Sequence, residues 1–419
     1  DVRLVMNSPL VLHGRWQDRV ALYTWAFAEL FPKCTPGFVA CLEPGWQRPE
    51  FVDYVVQQKI FTYSLSSREK GLGSSLLLLL TFGPRWLREL IFTLRLDGLL
   101  RRYALHWMAK RSAEVALSNR IQRAVKSPRY PTIFGWHTLR DDELAFMLQL
   151  SSNGLRLVPC HLAGNFSFQG QLPAEGVKQP PLQKQVQLDP QGLYLTFTLS
   201  DGDQLMMMNT GELGNWYTAE RGKVPFNWEV QPLLLEIAPA LLEKYLSGVT
   251  ENDCLIAGPS GAGYIIPPLT PTFDRYMAET TRLCQEAGIS VINPYVADLP
   301  ARTLATLGKH KGELLGFLSG YAVIEHAPLR LVHGAPYAAN LFPKVDQIWY
   351  SADELLSALR VEMDKDLPRP RFIGIHLFAY RTTIRDVLSF ARGITDAHVH
   401  IVRGDEFLML AGKYLQEKS

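Results

Sequence analysis

The chain is 419 residues long, 47% hydrophobic and 20% charged, with a formal net charge of +2. That balance describes an ordinary globular protein of one large domain or two medium ones, and it gives no reason to expect nucleic acid as a partner. No run approaches the ~18 consecutive apolar residues of a membrane-spanning helix.

Read in chain order, residues 20–30 carry apolar side chains at helical spacing and 37–42 form a strand-like run. Residues 51–58 are helical again and 60–65 extended, so an α/β alternation starts early. The alternation then breaks. Residues 74–129 read as purely helical, with five consecutive leucines at 76–80. From Arg85 to Arg129 there are eleven Lys or Arg against three acids, Glu89, Asp97 and Glu114. This is a basic helical insertion, either a solvated face over a local core or a docking surface for a protein partner or an anionic membrane.

Afterwards the alternation resumes. Strands are expected at 132–136, 155–160, 193–199, 254–257, 290–293, 314–318, 372–377 and 399–402. Helices are expected at 141–150, 233–246, 272–287, 352–361 and 384–391, and 169–191 reads as a Gln- and Pro-rich surface loop. About eight strand–helix units argue for an α/β fold of (β/α) barrel-like form, regular or distorted, rather than an open sheet. The expected divisions are an N-terminal α/β segment at 1–73, the helical insertion at 74–129 and the barrel-like domain at 130–419. Five scattered cysteines, an odd number without close pairing, read as buried thiols rather than a disulfide framework. The first residue is Asp1, which reads as a processed or incomplete amino terminus.

In a barrel the chemistry lies at the carboxyl ends of the strands. Two loops there stand out. The apolar run 193–199 opens into Ser200-Asp201-Gly202-Asp203-Gln204. Carboxylates at i and i+2 point to one side of an extended chain and can split their pKa values into a proton donor and an anion, or hold a divalent cation. The competing reading of Asp201 and Asp203 is an Asp-Gly turn. The run 254–257 opens into Gly258-Pro259-Ser260-Gly261-Ala262-Gly263-Tyr264. Its glycines allow positive φ and close approach of backbone to a ligand, whereas tight turning alone is the plainer use. It is not a phosphate cradle, because no Gly-Lys-Ser/Thr follows and the prolines after Tyr264 forbid a helix there. Ser260 lacks a nucleophile elbow leading into a helix. Asp396, His398 and His400 alternate like metal ligands but start a strand, so a structural role is expected. His376, within an apolar strand, reads as a core histidine.

These loops resemble the GxGYxYP family, a group classed with the glycoside hydrolases. Gly261-Ala262-Gly263-Tyr264-Ile265-Ile266-Pro267 matches the name motif, with Ile266 at its second tyrosine, and Ser200 to Gln204 matches Ser-Asp-Gly-Asp-Asn, with Gln204 last. Trp228, Pro232, Ala238-Pro239, Tyr245 and Asn252-Asp253 follow the family's pattern between them, and 402–407 resembles its terminal Val-Arg-Pro-Asp-Glu-Phe. The resemblance implies a carbohydrate-active enzyme outside the cytoplasm, acting on a glycan. Glycoside hydrolysis needs two carboxylates. Asp201 and Asp203 are the leading candidates, with Glu406 or Asp253 as a second acid. Trp136, Trp228 and Tyr264 would give sugar-stacking faces, with Ser260, Gly261 and Gly263 lining the site. No resident cofactor is expected beyond a divalent cation at Asp201 and Asp203. The departures at Gln204 and Ile266 leave an alternative: a catalytically silent binding or scaffold subunit of a larger, membrane-associated assembly.

Overall fold

The computed structural model describes residues 16–42, 49–136, 143–160, 163, 165–176, 178–182, 187–199, 215–296, 298–319, 329–342, 351–377 and 382–418. The chain forms two compact units. One takes Asp1–Leu172, Gly263–Glu279 and Pro300–Thr303, and the other Pro173–Ala262, Thr280–Leu299 and Leu304–Ser419.

The first unit holds β1 (Phe38–Leu42), β2 (Phe61–Tyr63), β3 (Thr132–Trp136) and β4 (Arg156–Val158). They form a parallel sheet in the order β2-β1-β3-β4. The strands are apolar and buried almost throughout, as a parallel sheet covered on both faces requires. Between β2 and β3 the basic stretch breaks into four helices, Leu72–Phe82, Arg85–Thr93, Asp97–Arg111 and Ala113–Ala124. The breaks have local causes: Gly83-Pro84, a left-handed Arg95 (φ 58°), and Ser112, whose hydroxyl accepts from the Val115 N–H. A buried polar network fastens the last helix. The Gln122 amide donates to the Tyr63 hydroxyl (3.1 Å) and to Gln149 Oε1 (3.1 Å), which also accepts from Ser67 (2.6 Å) and Ser118 (3.0 Å). Fully bonded networks of this kind specify one packing arrangement.

The second unit holds β5 (Leu193–Leu199), β6 (Phe226–Val230), β7 (Asp253–Ala257), β8 (Val291–Ile292), β9 (Gly316–Ser319), β10 (Arg330–Val332), β11 (Ala335–Phe342), β12 (Arg371–Leu377) and β13 (Val399–Ile401). The order is β10-β11-β12-β5-β6-β7-β8-β9, with β13 also on β5 and a further pairing between β11 and β9. All pairings are parallel except the β10–β11 hairpin, which turns at His333 and Gly334 with positive φ. The α/β expectation holds, with parallel sheets. The expectation that eight strand–helix units share one barrel is corrected: β3 and β4 pair with β1 in the first sheet, and the strands divide between two sheets. All five cysteines are free and four are buried, as their apolar settings predicted.

Period-two alternation governs the second sheet. Tyr194, Cys254, Ile256, Val291, Leu318, Ala338 and Phe372 come from six different strands and pack in one cluster with Phe407, Leu408, Leu410 and Ala411. These last four belong to the C-terminal helix Gly404–Glu417. One amphipathic helix therefore fills the apolar part of a face shared by many strands. Phe407 is fully buried there. Phe407→Ala is expected to lower unfolding stability by about 3–5 kcal/mol, read by urea denaturation with an unchanged m-value.

Candidate functional site

The same alternation places a polar layer on that face, beyond the helix and toward the carboxyl ends of the strands. In β6, Asn227 donates to Thr196 Oγ1 (2.8 Å) and Thr198 Oγ1 (3.2 Å) of β5, and its carbonyl accepts the Gly404 N–H (2.6 Å). Glu229, two residues on, shares Asn227's face. Its carboxylate accepts a short hydrogen bond from the side-chain amide of Asn293, just beyond β8. Between them runs the backbone leaving β7 at Gly258. A Cβ at Gly258 would stand 2.4 Å from Glu229 Oε1, so only glycine lets the carboxylate lie here undisturbed. On β12, His376 pairs in register with Thr198 and shares the face of Phe372 by alternation. Thr198, Glu229, Asn293 and His376 are all buried.

The glycine-rich loop is held by its backbone. Ser260 has φ 74°; its N–H donates to the Asn293 carbonyl (2.8 Å) and its Oγ accepts the Tyr295 N–H (3.1 Å). The loop after β7 is thereby tied to the loop after β8. Gly261 follows with φ 133°. In the first unit, Gly263 (φ 105°) lies against Arg156, where a Cβ would stand 2.8 Å from the side chain, and its carbonyl accepts the Tyr276 hydroxyl at 2.5 Å. Tyr264 bridges to Leu157 in both directions (2.8 and 2.9 Å) and stacks on Trp136 with ring centroids 6.0 Å apart.

The sequence-predicted residues fare differently. Asp201, Asp203 and Gln204 lie outside the described residues. Ser260 stands with Asn293 and Tyr295 at the carboxyl ends of β7 and β8. Trp136 and Tyr264 come together in the first unit, but at 1% and 5% exposure they form a buried pair rather than an open sugar platform. Trp228 is corrected also: it alternates to the face opposite Glu229, and its indole N–H donates to Asp253 (2.8 Å). Asp253 further accepts from Arg221 (2.5 Å) and twice from Thr250 (2.9 Å), so it anchors the segment before β7. Glu406 lines a cavity of about 480 Å³ with Pro225, Thr250, Glu251, Asn252 and Arg403. Pro225 and Asn252 immediately precede β6 and β7, so Glu406 sits at the amino ends of the strands, away from Ser260. Its place follows from the helix N-terminus being bound at Asn227 and from Arg403, whose guanidinium grips Asp405 (2.6 and 3.0 Å) and the Glu251 carbonyl (3.0 Å).

His398 and His400 both meet the Asp189 carboxylate (2.9 and 3.0 Å), and their hydrogen bonds hold it well below the usual carboxylate range. This clasp joins the starts of β13 and β5, the structural role expected of them. Among the described residues no group of three or more His, Cys, Asp or Glu is arranged to hold a metal ion. Glu229 and Asn293 were missed in the sequence. The signal for Glu229 was local: Phe226-Asn227-Trp228-Glu229-Val230 alternates as a strand just before the Gly-rich one.

Residues 191–412 match the family described as "GxGYxYP putative glycoside hydrolase C-terminal domain". The fold is similar to a crystal structure of a putative hydrolase from Bacteroides thetaiotaomicron VPI-5482, with a TM-score of 0.71 and 17% identity, covering 94% of this chain and 69% of that one. At that identity the likeness is one of fold. No curated protein matches the sequence.

Asp253 and Glu229 should separate on substitution. Asp253→Ala leaves Arg221 and the Trp228 indole without their shared acceptor and is expected to cost about 3–5 kcal/mol. Glu229→Gln keeps the size of the side chain and an oxygen for Asn293, and should shift stability by about 1 kcal/mol or less. Chemical denaturation of both variants checks this.

Proposed function

The chain belongs to the GxGYxYP family, and on that premise we propose that it is a carbohydrate-active enzyme of the glycoside hydrolase type. The additional β11–β9 pairing supports a barrel-like reading of the second sheet. The observation that carries the proposal is Glu229, a buried carboxylate at the carboxyl end of a parallel strand, seated over Gly258 and held by Asn293.

Glu229, with its carboxylate oriented by the Asn293 amide, would act as nucleophile or base at the anomeric carbon. The proton for the leaving oxygen would come from Asp201 or Asp203. They follow Leu199 by two and four residues, and Leu199 pairs in register with Trp228, the neighbour of Glu229. Asn293 would position Glu229, while Ser260 and Gly261 shape the loop beside it.

A second reading is a catalytically silent binding or scaffold subunit. The near-complete burial of Ser260 and Tyr264 favours it.

Release of chromophore from aryl glycosides and of reducing ends from a polysaccharide panel tests both. Turnover by the unaltered chain should fall by about 10²–10⁴-fold in kcat for Glu229→Gln and for Asp201→Asn or Asp203→Asn, with thermal unfolding unchanged. Glycan binding with no turnover supports the second reading, and neither binding nor turnover overturns the carbohydrate proposal altogether.

A further inference from the structure

Apolar side chains on the outside of the first unit are concentrated in one stretch. Of the fifteen large hydrophobic residues exposed among the described residues, nine lie between Leu72 and Tyr103. On helix Arg85–Thr93, Ile91 and Phe92 face inward, while Trp86 is 69% exposed and Leu90 49%. Leu94, closing that helix, is 57% exposed. Spacing by four puts these three on one outward ridge. On helix Asp97–Arg111, Leu99 and Tyr103 repeat the spacing, again outward. A ridge of Trp, Leu and Tyr turned to solvent across two successive helices is not what a free surface presents.

The charge around it is one-sided. Arg95 and Arg102 are exposed beside the ridge. The acids of the stretch are turned elsewhere. Glu89 accepts from the Ala301 N–H, Asp97 pairs with Arg302 at 3.3 Å, and Glu114 accepts from the Ser66 N–H. Apolar and aromatic side chains flanked by the exposed Arg95 and Arg102 fit an anionic bilayer interface, where the ridge enters the acyl boundary and the guanidinium groups meet lipid phosphates. A protein partner of ordinary composition would not call for so consistent a charge.

We propose that helices 85–93 and 97–111 form an in-plane docking surface for an anionic membrane. No described helix is long and apolar enough to cross a bilayer, so the surface lies on the membrane rather than through it. The proposal is independent of the catalytic reading.

The test is co-sedimentation of the purified chain with vesicles of phosphatidylcholine plus phosphatidylglycerol, and with phosphatidylcholine alone. Binding is expected to the first far more than to the second, and to fall as salt rises. Removing two apolar side chains from the ridge takes away their burial in the bilayer, so the double variant Trp86→Ser with Leu90→Ser should weaken binding by at least about tenfold. Arg95→Glu with Arg102→Glu should abolish the preference for anionic lipid. These side chains are exposed, so thermal unfolding of the variants should match the unaltered chain. No sedimentation with anionic vesicles overturns the proposal. Equal sedimentation of the ridge variant does so as well, and so does a concentration-dependent self-association that the ridge variant removes without any lipid binding.

Discussion

The pleat of the parallel strands in the second unit decides what the rest of that unit can be. Side chains at i, i+2 and i+4 share a face. Tyr194, Thr196 and Thr198 on β5, Asn227 and Glu229 on β6, and Cys254 and Ile256 on β7, followed by Gly258 just past its end, therefore form parallel columns. The lower members are apolar and are covered by Phe407, Leu408 and Leu410 of the C-terminal helix. The upper members are polar. The column positions at which apolar residues give way to polar ones set the depth at which the helix stops and the chemistry starts.

Asn227 sits at that boundary. It bonds down to the helix through Gly404 and sideways to Thr196 and Thr198, so a buried amide has its oxygen and nitrogen engaged. A polar group buried without partners would be costly, and here the cost is offset by fixing the helix N-terminus against the strands. Arg403 completes the arrangement by gripping Asp405 and the Glu251 carbonyl. Burial, with the negative Asp405 nearby, pushes the Cys254 thiol up and keeps it inert. The amino-end half of the unit is thus a mechanical anchor. Glu406 belongs to that half, whatever its chemical character suggests.

Much of the site's neighbourhood was legible from residue order. The apolar runs at 193–199, 254–257 and 372–377 are strands within a residue of their expected bounds. The Gly-rich run ending in Tyr264 is a backbone-tight loop with positive φ at Ser260, Gly261 and Gly263. Other readings failed because they depend on pairing. Residues 132–136 and 156–158 look like any barrel strands, yet they hydrogen-bond to β1 and to each other, and no local pattern records which sheet a strand will join. Trp228 looks like a sugar platform by type alone. The reverse face of a single pleat and the carboxylate of Asp253 make it a structural residue.

The sequence by itself determined the α/β class, the position of the glycine-rich loop, the basic helical stretch and the free cysteines, because each depends on local spacing, composition or backbone freedom. The tertiary structure alone decided that Glu229, Asn293 and Gly258 meet, since these come from three strand ends far apart in the chain and only parallel pairing brings them into register. It also decided that Trp86, Leu90 and Leu94 face outward while Ile91 and Phe92 face inward. An apolar stripe gives a helix its faces, but which of them is covered depends on the neighbours it packs against.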